Sequence, residues 1–67
     1  MEMIPVSSTN LAAYGIDEDR NLIIEFRGGL TYRYSGLTEY QLQEFEADPS
    51  GYFKSYIKGG PYAYERI

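Results

Sequence analysis

No cysteine and no histidine occurs in the chain, and tryptophan is absent as well. That removes the disulfide framework, the usual zinc ligands, the thiol nucleophile and the imidazole acid or base in one step. A small fold without staples is held by its apolar core alone, and a chain of 67 residues buries only about 60% of the surface its unfolded form exposes. Most of the 8 Tyr and 3 Phe are therefore expected in the core. A homo-oligomer that buries further surface would relieve the shortage, so self-association is expected too. Catalysis has little to work with. The chain reads as no enzyme, with no cofactor and no metal.

Charge narrows the partners. Six Lys plus Arg stand against ten Asp plus Glu, a net charge of −4, which weighs against a non-specific grip on long nucleic acids. The distribution is uneven, however. Glu39, Glu44, Glu46 and Asp48 lie in a stretch without cations, whereas Lys54, Lys58 and Arg66 face only Glu65 in the closing stretch. A local basic face is expected there. With no signal peptide, no lipidation motif and no apolar run of about 18 residues, the expectation is a cytoplasmic chain without a membrane contact.

Hydrophobic alternation organises the first half. Leu11 to Ile16 reads as a strand through Ala12, Tyr14 and Ile16, and Asp17 to Asn21 as a polar turn. Leu22, Ile24 and Phe26 alternate with Ile23, Glu25 and Arg27, and Leu30, Tyr32 and Tyr34 with Thr31, Arg33 and Ser35. Between these two strands the turn decides which way the tyrosines face. A two-residue Gly28-Gly29 loop would set Tyr32 and Tyr34 opposite Phe26. A three-residue Arg27-Gly28-Gly29 loop with a bulge pairs Phe26 with Leu30, Ile24 with Tyr32 and Leu22 with Tyr34, all on one face. Burial favours the second.

The second half is helical. Thr38 with Gln41 forms a capping box, Leu37 can staple onto Leu42, and Asp48-Pro49 closes the helix. Asp48 or Ser50 then caps a second helix with Phe53 and Ile57 on one stripe, ended by Gly59-Gly60-Pro61. Tyr62 to Ile67 alternates as an extended tail. The expected fold is α+β: a three-stranded antiparallel meander followed by two short helices packed on one face, β-β-β-α-α, with a short extended C-terminal tail, and residues 1–67 as a single domain.

Few residues suggest chemistry. Asp17, Glu18 and Asp19 lack the alternating ligands and central glycine of a calcium loop. Ser7 and Ser8 lack a base and read as local caps. Gly28-Gly29 joins two strands and is a hairpin turn, not a phosphate loop. Tyr32-Arg33-Tyr34 and Tyr62-Ala63-Tyr64-Glu65-Arg66 differ from these, because tyrosine rings offer stacking faces for bases and arginine pairs with phosphate. The competing reading is that these tyrosines fill core volume with the hydroxyl at the rim. Lys54 and Lys58 extend the candidate set, although both also suit a helix C-terminus.

Pro5-Val6-Ser7-Ser8, Leu22-x-Ile24-x-Phe26, Gly29, Tyr32-x-Tyr34, Leu37, Ser50-Gly51-Tyr52-Phe53, Ile57 and Tyr62-x-Tyr64-Glu65-Arg66-Ile67 together resemble the KTSC domain over nearly the whole chain. That domain is found alone in bacterial and phage proteins and at the C-terminus of some lysyl-tRNA synthetases. The resemblance implies no established activity, and RNA binding is suggested by the synthetase attachment. The leading expectation is thus a non-catalytic module that binds RNA or another nucleic-acid or nucleotide ligand through Tyr32, Arg33, Tyr34, Lys54, Lys58, Tyr62, Tyr64 and Arg66. The alternatives are a phage-encoded protein that sequesters a nucleotide in a pocket at an oligomer interface, and a protein-interaction or assembly module.

Overall fold

The computed structural model describes residues 2–67; Met1, the first residue of the expected single unit, lies outside them. The alternating segments form an antiparallel meander, β1 (Ile4–Pro5), β2 (Leu11–Ile16), β3 (Leu22–Phe26), β4 (Thr31–Ser35) and β5 (Ala63–Arg66), with neighbours in the sheet following the order of the chain. Between β4 and β5 run α1 (Glu39–Ala47) and α2 (Pro49–Tyr52), the latter continuing into a π-helical turn over Phe53–Ile57. The small α+β class with an antiparallel sheet and two helical segments is as expected. The count of three strands is corrected to five. The tail is not a lone extended segment: it pairs with β4 as an edge strand, Tyr32 opposite Arg66 and Tyr34 opposite Tyr64. At the other edge Ile4 and Pro5 pair with Tyr14 and Ala13, a bridge too short to show a period of two.

The three-residue hairpin loop is present. Phe26 N–H donates to the Leu30 carbonyl at 2.8 Å and Gly29 N–H to the Phe26 carbonyl at 3.1 Å, while Gly28 and Gly29 take φ of 107° and 96°, values that residues with a Cβ rarely adopt. Ile24 then pairs with Tyr32 and Leu22 with Tyr34. Leu22, Ile24, Tyr14 and Tyr34 meet Leu42, Phe45, Phe53 and Ile57 in one core cluster. Two core expectations need correction. Leu30 is 47% exposed, because it sits at the mouth of a cleft, and Phe26 is half-buried, its ring edge-on to Tyr32 and Phe53 at 5.7 and 5.3 Å.

Local chemistry sets the helix ends. Thr38 Oγ1 accepts from Gln41 N–H at 3.1 Å, and Gln41 Oε1 accepts from Thr38 N–H at 2.9 Å, which is the reciprocal capping box. Asp48 ends α1 and caps α2, its carboxylate accepting from Gly51 N–H at 3.3 Å. The second helix is not regular as expected: Lys58 N–H donates to the Phe53 carbonyl, five residues back, at 2.9 Å, the bond of a π turn. Phe53 and Ile57 still both point into the core.

Candidate aromatic cleft

In an antiparallel pair, residues opposite one another share a face. The register therefore sets Tyr32, Tyr34, Tyr64 and Arg66 on the helix-covered face, and Arg33 and Glu65 on the far one. The three rings lie close together: Tyr32 to Tyr34 at 6.5 Å, Tyr32 to Tyr64 at 5.9 Å and Tyr34 to Tyr64 at 5.7 Å between centroids. Their burial is graded. Tyr34 is 8% exposed and belongs to the core, whereas Tyr64 is 66% exposed. Burial pushes the Tyr34 hydroxyl above its ordinary pKa, with the neighbouring Tyr32 and Tyr64 adding to the shift, so it stays a neutral hydrogen-bonding group.

Where the end of the π turn meets these strands there is a cleft of about 430 Å³, lined by Tyr32, Tyr34, Tyr62 and Tyr64 with Phe26, Leu30, Phe53 and Ile57, and by Lys58, Gly59 and Gly60. The volume is within the range of small-ligand sites, roughly 300–1,000 Å³. Gly60 must be glycine here, because a Cβ would collide with the Tyr56 carbonyl.

The comparisons agree with this architecture. No curated protein matches the chain. A family model described as KTSC domain matches residues 7–64. The chain belongs to the KTSC domain family. A crystal structure of a KTSC domain protein from Yersinia pestis is similar to it at 36% identity, with a TM-score of 0.82 over 98% of this chain and 96% of that one.

Of the residues singled out in the sequence, the KTSC domain brings Tyr32, Tyr34, Lys58, Tyr62 and Tyr64 to one cleft and Arg66 to the same face beside Tyr32. Arg33 is not with them: its guanidinium donates from Nε to Glu65 at 3.0 Å on the opposite face, and this bond, with the charge of Glu65, raises its pKa above the ordinary value. Lys54 is exposed and does not line the cleft. The other cations of the KTSC domain are held elsewhere. Arg20 pairs with Glu39 at 2.6 Å, and Arg27 donates to the carbonyls of Ser8 and Val6 at 2.6 and 3.4 Å. Sequence reasoning missed Phe26, Leu30, Gly59 and Gly60 as cleft walls. The Gly59-Gly60 pair was visible as a helix stop, but its placement against the tyrosines depends on the pairing of β5.

Proposed function

We propose that this KTSC domain is a non-catalytic binding module whose aromatic cleft takes a nucleotide or a short single-stranded RNA segment. The observation that carries the reading is the joint placement of Tyr32 and Tyr64 with Lys58 in one cleft, which offers ring faces to a base and an ammonium to a phosphate. Arg66, on the same face, supplies a second cation. So few cations suit a ligand with one or a few phosphates better than a long polyanion, in keeping with the acidic total. Arg33 and Lys54 leave the candidate set.

A thermal-shift and calorimetric screen over mononucleotides, cyclic dinucleotides and RNA oligomers tests this. A ligand at 100 times its dissociation constant adds about 2.7 kcal/mol of stability. Saturable binding that Tyr64→Ala and Lys58→Ala each weaken about tenfold, with Arg33→Ala unchanged, is the expected result. No stabilisation by any of these ligands would reject it, and steep salt dependence would select RNA over a mononucleotide.

A second reading, an assembly module, is favoured by the edge of the sheet. Ile67 N–H bonds back to Thr31 at 3.0 Å, so the alternate residues Tyr64 and Arg66 turn their backbone N–H and C=O groups outward. Such an edge is a template for another strand, and self-association of this domain would run along it.

A further inference from the structure

A second and larger concavity, about 570 Å³, lies between α1 and the α2 segment with its π turn. Its walls are two stripes at helical spacing. Along α1 and its end run Tyr40, Glu44 and Asp48, four residues apart and so on one face. Opposite them stand Tyr52 and Tyr56, with ring centroids 4.7 Å apart. Ala47 and Gly51 also line the groove, and their small size gives it depth between the two stripes. Tyr40 is 70% exposed and Tyr56 60%, which leaves large aromatic surface facing the solvent.

The charge of this groove is one-sided. Glu44 and Asp48 line it, and no lysine or arginine does among the described residues. The Asp48 carboxylate already accepts from Gly51 N–H; no hydrogen bond or ion pair engages the Glu44 carboxylate among the described residues. Burial, Tyr62 and the charge of Glu44 together push the Tyr52 hydroxyl above its ordinary pKa, so it contributes a neutral ring. Aromatic faces carry a negative quadrupole that attracts cations. A phosphate would be repelled here, which makes this groove the chemical opposite of the cleft at Lys58.

We infer that the groove between Tyr40–Glu44–Asp48 and Tyr52–Tyr56 binds an arginine side chain presented by a basic peptide segment of a protein partner. A guanidinium fits better than an ammonium because it is planar, stacks on tyrosine, and presents a fork of donors to a carboxylate such as Glu44. The net charge of −4 draws a basic segment toward the molecule as a whole. The groove shares the Tyr62 wall with the cleft at Lys58, but the inference does not rest on the nucleotide reading.

The test is a titration of the full chain with an arginine-containing nonapeptide, followed by amide NMR shifts and calorimetry, beside the same peptide with citrulline in place of arginine. Citrulline keeps the shape and removes the charge. Saturable binding of the arginine peptide with shifts at Tyr40, Glu44 and Tyr56, weakened about tenfold by Tyr56→Ala and by Glu44→Gln, is expected, while Tyr40→Phe keeps its ring and its affinity. Glu18→Gln removes the same charge from a distant turn and should leave binding unchanged. Equal affinity for the citrulline peptide overturns the proposal, and so does a loss with Glu18→Gln as large as with Glu44→Gln, since that would be attraction by net charge alone. Tyr40→Ala replaces Tyr56→Ala should the latter melt early.

Discussion

Asp17 does more for the turn between β2 and β3 than its place in a run of acids suggests. Its Oδ1 accepts from Asn21 N–H at 2.8 Å and from Asp19 N–H at 2.9 Å, and Arg20 within the turn holds a positive φ of 63°. The bond from Asn21 leads the causes that lower the carboxyl pKa below its ordinary 3.8. Because the folded value is the depressed one, this stabilisation is complete above the unfolded pKa and is lost as pH falls through the folded one. Glu39, lowered from 4.5 chiefly by the hydrogen bond from Arg20, follows the same sign. Melting temperature should therefore drop on acidification below about pH 4, and Asp17→Asn should make that acid limb shallower. An unchanged limb would assign the acid loss to other carboxylates. At this scale the sequence was informative about residue type and silent about face. Arg33 and Arg66 sit in similar Tyr-rich runs, yet one is on the far face and the other on the cleft side, a difference that only the β4–β5 register decides.

Among the elements, α1 was the most legible because its signals are local. Thr38, Gln41 and the Asp48-Pro49 stop act within a few residues of themselves, and the capping box is formed. Thr38→Ala should cost about 1 kcal/mol and Thr38→Asp should be nearly neutral, as read from denaturant midpoints. The hairpin register was legible on burial, since only one loop length put Tyr34 with Leu22 in the core. The π turn was not, because a spacing of four between Phe53 and Ile57 serves an α-helix as well. Phe53 is 7% exposed and meets both Phe26 and Tyr34 edge-on, at 5.3 and 6.0 Å. Truncating Phe53→Ala should cost about 3–5 kcal/mol, a large part of what a domain of this size has. A variant that melts within a few degrees of the parent would show that the helical segment packs elsewhere. β1 was illegible, and the tail was read as extended but without its partner, for one reason: a short strand is paired by the strand it joins, which lies far away in sequence.

Across the whole molecule the sheet has two unlike ends. β5 offers four residues and outward backbone groups at Tyr64 and Arg66, whereas β1 is two residues long and includes Pro5, which has no N–H to give. In the vocabulary of polymer chemistry the protein is a monofunctional monomer: one end can react and the other is already terminated. Head-to-tail growth needs two live ends, so an open filament cannot propagate through this sheet. Pairing along β5 would use the same surface on both copies and close after one step. Sedimentation over a wide concentration range should then show monomer and dimer with nothing larger, and Arg66→Pro, which deletes one outward donor, should shift that equilibrium to monomer. Higher oligomers surviving that substitution would require a surface other than the sheet edge. A tyrosine-rich edge that would be an aggregation hazard on a two-ended sheet would, on this one, be limited to a single partner.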